Sequence, residues 1–466
     1  MLVGFMGAGK STLGPVLAER LGRPFVSIDS VVEAREGSSI AELFAARGEA
    51  AFRELEERAA LELLAQRSLS VIELGGGGLG SAATRSALDE HAFTLHLETT
   101  PEEAWARVEA SGRPLARDRV EFQVLFEARR ELYEAADGSA RDLDGAVLAA
   151  AGVHVSEGAL ERLDELAPGS EAVEVIADEQ VDALYGERVR GALGPRVSGS
   201  HVVPAGESAK SAAEAEKLWS ALRIGRSGAI VALGGGCTLD VAGFVAATYL
   251  RGVPWISIPT TLLAQVDAGI GGKTAIDLPE GKNLVGAFHW PARTVVDPSV
   301  LATLPQTELE NGRAEVVKTG LLAGEPLWEL ETSEQVRRCA AFKSGVCLRD
   351  PHDRGDRAQL NLGHTFAHAL EAAAGYSMAH GHAVALGLLA ALRVSGLEDD
   401  ARLVEELLRP PLARVDRDEV WAALARDKKA DGGRPALVLL EAPGKPRIGV
   451  EVEPEVVRSA LDALIA

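Results

Sequence analysis

Gly4-Phe5-Met6-Gly7-Ala8-Gly9-Lys10-Ser11 completes a G-x-x-x-x-G-K-S run. A glycine-rich turn between a strand and a helix points backbone N–H groups at phosphate oxygens, and the helix N-terminus adds partial positive charge. Gly7, Gly9 and Thr12 are expected to line the phosphates, with Lys10 on the β- and γ-phosphates and Ser11 on Mg²⁺, so the expected ligand is ATP with Mg²⁺. Far along the chain stands a second set. Glu315 lies in a helical run, His364 and His368 are four apart and share a helix face, and His380 and His382 follow. Half of the ten histidines fall between His352 and His382, so the cluster is a better metal candidate than any one ring. One Glu and two His with an open position form a catalytic zinc arrangement, which another divalent ion such as Co²⁺ could fill.

Two groups of side chains could hold substrates. Asp29, Arg53, the Gly75-Gly76-Gly77 turn, Arg113 and Arg129 occur in the first third of the chain. Arginine forks pair with a carboxylate, while an aspartate holds a hydroxyl and can take its proton. In the middle, Gly234-Gly235-Gly236 follows an apolar run and allows close backbone approach to a pyrophosphate. Arg251, Asp267, Lys273, Lys282 and Asn283 then crowd among Gly and Thr turns, which suits a phosphorylated, polyhydroxylated substrate.

The elements that must position these groups alternate. Leu2–Phe5, 71–74 and 93–97 read as strands with helices between them, and Asp29 as the end of another strand. This order predicts a parallel sheet covered on both faces. Residues 1–145 form the expected P-loop domain, and 146–169 a small, acidic, weakly periodic linker. Segments 172–177, 229–233 and 255–258 predict a second parallel sheet in an α/β lobe over 170–305. Long helices follow in a lobe over 306–466. The fold class is thus α/β throughout, with an α-helical metal-binding lobe at the end.

At 466 residues, 47% hydrophobic and 25% charged, the chain can bury large cores. A net charge of −21 excludes sequence-independent nucleic-acid binding. Three scattered cysteines make neither a disulfide framework nor a Cys₄ zinc site. The apolar runs are too short to span a bilayer, and the chain enters a strand and phosphate loop at once, so no membrane partner, no signal peptide and a cytoplasmic location are expected.

The first domain resembles shikimate kinase, through the loop, Gly48-Glu49 with Phe52-Arg53, Gly75-Gly76-Gly77, Arg113-Pro114-Leu115, and Arg129 with Tyr133. The resemblance implies that Asp29, Arg53, Gly76, Gly77 and Arg129 hold shikimate and that Arg113 closes over the phosphates. Ser27 replaces the first of two family aspartates at the strand end, which implies weaker metal binding or turnover. Glu131 stands where proline is usual.

From about Asp178 to Gly449 the chain is similar to 3-dehydroquinate synthase, through GGGCTLDVAGFVAATYLRG and PTTLLAQVDAGIGGKTAIDLPEGKNLVGAFHWP and the Glu and His set. By that resemblance Glu315, His364 and His380 bind zinc. Asp267, Lys273, Lys282, Asn283, Lys318, Lys343, Arg357, Asn361 and His368 contact substrate, with Asp267, Lys273, Lys318 and His368 in catalytic roles. NAD⁺ falls to Asp178, Glu207, Lys210, Gly235, Gly236, Asp240, Thr260 and Thr261. A homodimer is implied, with Arg251 reaching the neighbour's substrate phosphate. Leu239, Pro351, Asp353 and His382 depart from the family pattern. Two alternatives remain beside this bifunctional, small-molecule reading: a nucleotide-sensing or structural first domain with little turnover, and, in the second, a metal-dependent alcohol dehydrogenase or a related sugar-phosphate cyclase.

Overall fold

The computed structural model describes residues 1–109, 115, 118–167, 169–430 and 436–466. It divides into two compact units, Met1–Ala151 and Gly152–Ala466.

In the first unit, β1 (Leu2–Val3), β2 (Phe25–Ser27), β3 (Val71–Glu73), β4 (Leu95–Leu97) and β5 (Gly138–Ala140) form a parallel sheet of order β2-β3-β1-β4-β5. The chain reverses direction of growth around β1, and in such sheets ligands bind beyond the carboxyl ends at that switch. The phosphate loop leaves β1 at that point. Phe5, Phe122 and Phe126 pack edge to face beneath it, with ring centroids 5.0 Å apart in both contacts of Phe5. Ser27 ends β2 and caps the helix Ile28–Glu36, its hydroxyl accepting from the Ser30 N–H at 3.5 Å. Asp29 therefore sits in the first turn of that helix rather than at a strand end, because the serine side chain starts the helix two residues earlier.

The second unit holds β6 (Val153–Val155), β7 (Val173–Asp178), β8 (Val197–Val203), β9 (Ala229–Gly234), β10 (Trp255–Pro259), the hairpin β11 (Lys273–Leu278) and β12 (Gly281–Phe288), and β13 (Arg293–Val296). Its main sheet is parallel, in the order β6-β13-β10-β9-β7-β8. Strands β7, β9 and β10 are buried along their whole length, as a sheet covered on both faces requires. The expected linker over 146–169 is structured. The helix Leu143–Ala150 closes the first unit, β6 joins the sheet of the second, and Ala159, Leu160 and Leu163 are in its core. Its small residues are packing, not spacing.

The helical lobe is built on Gln306–Ala323, Thr332–Arg349, His364–Ala373 and His380–Val394. The last is apolar on nearly every face and buried from Ala383 to Leu392, the pattern of a central helix. A hairpin of β14 (Ala436–Ala442) and β15 (Lys445–Glu451) packs against this lobe, in which the sequence shows long helices and few strand candidates. No helix among the described residues is long and apolar enough to cross a membrane.

Candidate active sites

In the first unit the loop Gly4–Gly9 feeds the helix Lys10–Arg20. The buried Lys10 ammonium donates to the Gly4 carbonyl at 2.7 Å and the Phe5 carbonyl at 3.2 Å, folded over the loop whose phosphates it would meet. Gly7 and Gly9 take positive φ in the loop, and Ser11 and Thr12 follow Lys10 in the first turn of the helix. A cleft of about 470 Å³ opens beside the loop, lined by Ser11, Asp29, Arg53, Gly76, Gly77 and Arg129 among others. The expected acceptor residues are thus brought together. Gly77 lies so close under Arg53 that a Cβ there would stand 2.3 Å from the guanidinium carbon. Arg129 donates to the Gly76 carbonyl at 2.9 Å, and the buried Tyr133 hydroxyl donates to the same oxygen. Arg113 lies outside the described residues. Glu131 is exposed, so its departure touches nothing in the cleft.

Glu56 escaped sequence reading. It is 1% exposed and bonds Arg53 at 2.6 Å. Burial raises its pKa against the pull of Arg53. The signal was there, because a Glu three residues after Arg53 shares its helix face. Fixed on one side by Glu56 and on the other by Glu49 at 3.0 Å, the guanidinium is aimed before any ligand arrives. Replacing Arg129 with Ala should raise KM for a carboxylate acceptor roughly 10- to 100-fold, the loss of one charged hydrogen bond, and leave KM for ATP unchanged in steady-state assays.

In the second unit Glu315, His364 and His380 bring one ligand atom each within 4.8 Å of one another. The His364 and His380 Nε2 atoms lie 3.5 and 3.6 Å from the same Glu315 oxygen. With metal bonds of about 2.0–2.1 Å, a tetrahedral edge is roughly 3.4 Å, so the spacing fits one small ion. Each ring's other nitrogen is engaged: His364 Nδ1 on the Leu362 carbonyl at 3.2 Å, His380 Nδ1 on Glu371 at 3.3 Å. Such contacts leave Nε2 to face a metal. Glu371, missed in the sequence, falls seven residues after His364 and so on the same helix face. Burial lowers the His364 pKa to about 3; at His380 burial is outweighed by Glu315 and Glu371, which lift it to about 10. Glu315 Oε2 is paired with Lys318, while Oε1, the oxygen that both histidines face, is buried with no hydrogen-bond partner among the described residues, which an ion would remedy. Co²⁺ would fit the same donors.

The two histidine-bearing helices meet backbone to backbone. A Cβ on Gly387 would stand 2.2 Å from the Gly363 carbonyl oxygen, and one on Gly363 2.8 Å from the Gly387 carbonyl carbon. Gly387→Ala must push the helices apart, and is expected to lower metal affinity at least about tenfold, read by competition with a chelator of known affinity.

Next to the triad, the buried Lys318 pairs with Glu315, and Lys343 donates to the Asp267 carboxylate at 2.8 Å and its carbonyl at 2.6 Å. Burial opposes ionisation of Asp267, but Lys343 and Lys318 hold its pKa below the usual value. Burial pushes the Cys347 thiol pKa up, against the opposing pull of Lys343 and Arg357. His368 is exposed, with its ring 5.5 Å from that of His364. Asn361 is exposed one turn before the metal helix. Lys273 meets Asp353 at 2.5 Å, so that departure from the family pattern engages a site lysine, whereas Pro351 offers only its backbone carbonyl, which accepts from Arg357 at 3.3 Å. His382 bonds the Pro411 carbonyl at 2.7 Å instead of facing the triad.

At the switch point, Asp178 ends β7 and accepts from the Thr238 hydroxyl at 3.1 Å, while Gly235 and Gly236 open the helix Gly236–Thr248 after β9. Thr260 keeps a buried hydroxyl with no hydrogen-bond partner among the described residues, and Thr261 abuts Gly235. Lys210 meets Asp240 at 2.8 Å and Asn283, and Lys282 meets Glu207 at 3.1 Å. Lys282 and Asn283, expected on the substrate, therefore contact residues expected on the cofactor. Leu239 is 2% exposed and points into the core, so it does not obstruct the glycine turn. Arg251 is exposed, in a left-handed turn at φ 71°.

A shikimate kinase family model matches residues 6–151, and models of the N- and C-terminal parts of 3-dehydroquinate synthase match 200–311 and 312–430. The 3-dehydroquinate synthase of Symbiobacterium thermophilum is 41% identical over 67% of this chain and 97% of its own. The chain belongs to the 3-dehydroquinate synthase family, with a shikimate kinase domain fused ahead of it. The synthase of Azotobacter vinelandii is 40% identical over 66% of the chain and 93% of its own length. Among solved structures, a 2-deoxy-scyllo-inosose synthase bound to carbaglucose-6-phosphate, NAD⁺ and Co²⁺ superposes with a TM-score of 0.61 at 26% identity, over 67% of this chain and 96% of its own. A 2-epi-5-epi-valiolone synthase from Streptomyces hygroscopicus, with NAD⁺ and Zn²⁺, gives 0.60 at 28%, again over 67% and 96%. Both domains are those of enzymes, a phosphotransferase and a lyase.

Proposed function

We propose that the kinase domain transfers the ATP γ-phosphoryl group to shikimate, and that the synthase domain converts 3-deoxy-D-arabino-heptulosonate 7-phosphate to 3-dehydroquinate and phosphate. The synthase reading is carried by the Glu315–His364–His380 triad and the Lys343–Asp267 pair, a metal site and a substrate-charge site in one unit. When bound, MgATP supplies the transferable phosphoryl group, the divalent ion Lewis acidity toward a substrate hydroxyl, and NAD⁺ a hydride acceptor restored within each turnover.

The residues do the rest. Arg53 and Arg129 orient the acceptor carboxylate, and Asp29 holds the hydroxyl that loses its proton. Gly7, Gly9 and Thr12 hold the nucleotide phosphates, with Lys10 neutralising charge and Arg113 closing over them. In the synthase, Asp178, Glu207, Lys210, Asp240, Thr260, Thr261 and the Gly235–Gly236 turn orient the dinucleotide. Lys273, Lys282, Asn283, Lys343, Arg357 and Asn361 bind the phosphorylated polyol, Asp267 and Lys318 fix its charge, and the exposed His368 moves protons near the leaving phosphate. The synthase units pair as a homodimer, Arg251 reaching the neighbour's substrate phosphate; size-exclusion chromatography with light scattering tests this.

ADP release from MgATP with shikimate, with quinate and gluconate as controls, tests the kinase. Phosphate release from the heptulosonate phosphate, without net NADH, tests the synthase. ATP binding without turnover on any acceptor would leave a synthase with a nucleotide-sensing appendage, and phosphate release only from other sugar phosphates would make it a related cyclase.

A further inference from the structure

The kinase cleft contains an acidic side chain with no role so far, Glu73. We propose that Glu73 replaces the aspartate missing at position 27, facing the Mg²⁺ that accompanies ATP and holding its water shell. The inference rests on the kinase reading and concerns how this chain carries its metal.

Ser27 and Glu73 are register partners on the adjacent parallel strands β2 and β3. Partners in register point to the same face, with neighbouring strands about 4.8 Å apart. A carboxylate moved from the end of β2 to the end of β3 thus stays at the same edge of the sheet, and the extra methylene of Glu extends its reach. β3 also pairs directly with β1, the strand that feeds the phosphate loop. In P-loop enzymes generally the metal is held between the loop Ser/Thr and an acidic residue at a strand end.

The contact already exists. The Ser11 hydroxyl, the motif's metal ligand, donates to Glu73 Oε1 at 2.7 Å. A hydroxyl has one proton and two lone pairs. With the proton committed to Glu73, the lone pairs turn away from the carboxylate, toward the loop side where the ion would bind. Ser27 meanwhile accepts from Ser30 N–H as a helix cap and carries no charge. The acidic count near the ion is conserved although the sequence pattern is not.

The test is ATP affinity of the full chain by calorimetry, without Mg²⁺ and at saturating Mg²⁺. Glu73→Gln is expected to lose at least about tenfold of the Mg²⁺-dependent gain, the usual effect of disturbing groups around a metal, with metal-free ATP affinity unchanged. That unchanged value also shows the loop intact. Ser27→Ala should leave the gain as it is, and Ser27→Asp combined with Glu73→Gln should restore it. If Glu73→Gln keeps the full Mg²⁺ dependence, or lowers only kcat with the gain intact, the metal role is overturned. If the unmodified chain binds no ATP at all, the kinase reading fails first and takes this inference with it.

Discussion

Glu315→Gln is expected to purify without stoichiometric metal and to release no phosphate from the heptulosonate substrate. Replacing a ligand that both histidines face should exceed the 10- to 100-fold loss typical of outer groups, so metal affinity should fall by more than about 100-fold. A second effect follows from burial. Lys318 is 2% exposed and pairs with Glu315. Stranding its ammonium costs about 3–5 kcal/mol, and melting temperature should fall accordingly. Adding Lys318→Met removes the stranded charge, so the double variant should regain stability but not metal. Metal analysis together with calorimetric melting separates the two effects; a single variant that keeps its metal would sink the assignment. Kinase activity should survive, since its cleft belongs to the other unit.

Lys10→Met should abolish shikimate-dependent ADP release and spare the synthase. The ammonium neutralises phosphate charge in the transition state, and deleting one such donor costs about 10²–10³ in kcat. Lys10 also bonds two carbonyls, Gly4 and Phe5, and methionine withdraws both contacts, while the Phe5 carbonyl keeps the Ala8 N–H at 3.1 Å. Parallel assays of ADP and phosphate on one preparation decide the matter. Equal loss of both activities would mean that the substitution unfolds the chain rather than disabling a site.

Much of this was legible because the motifs are contiguous. The phosphate loop, Gly234–Gly236, and His364 with His368 declare themselves within a few residues, and β7, β9 and β10 are mostly apolar along their buried length, β9 running Ala-Ile-Val-Ala-Leu. What escaped depends on neighbours distant in sequence. Strand β8, Val-Ser-Gly-Ser-His-Val-Val, alternates exposure at a sheet edge and carries too many polar residues to read as a strand. Strand β6 is three residues long and is held by β13, about 140 positions later in order-of-magnitude terms. Glu73 reads as a polar interruption of an apolar strand until register places it beside Ser27. Asp29 was displaced into a helix by the serine two residues before it.

The contact between Gly363 and Gly387 has a consequence for which ion the synthase keeps. Two missing side chains set the distance between the helices that carry His364 and His380, so the bite of the site is gauged by backbone rather than by ligand flexibility. Ca²⁺ asks for oxygen donors at about 2.3–2.6 Å and six to eight of them; this jaw, with its nitrogen ligands, closes to a smaller aperture. Discrimination between ions is thus written partly in glycines that never touch the metal.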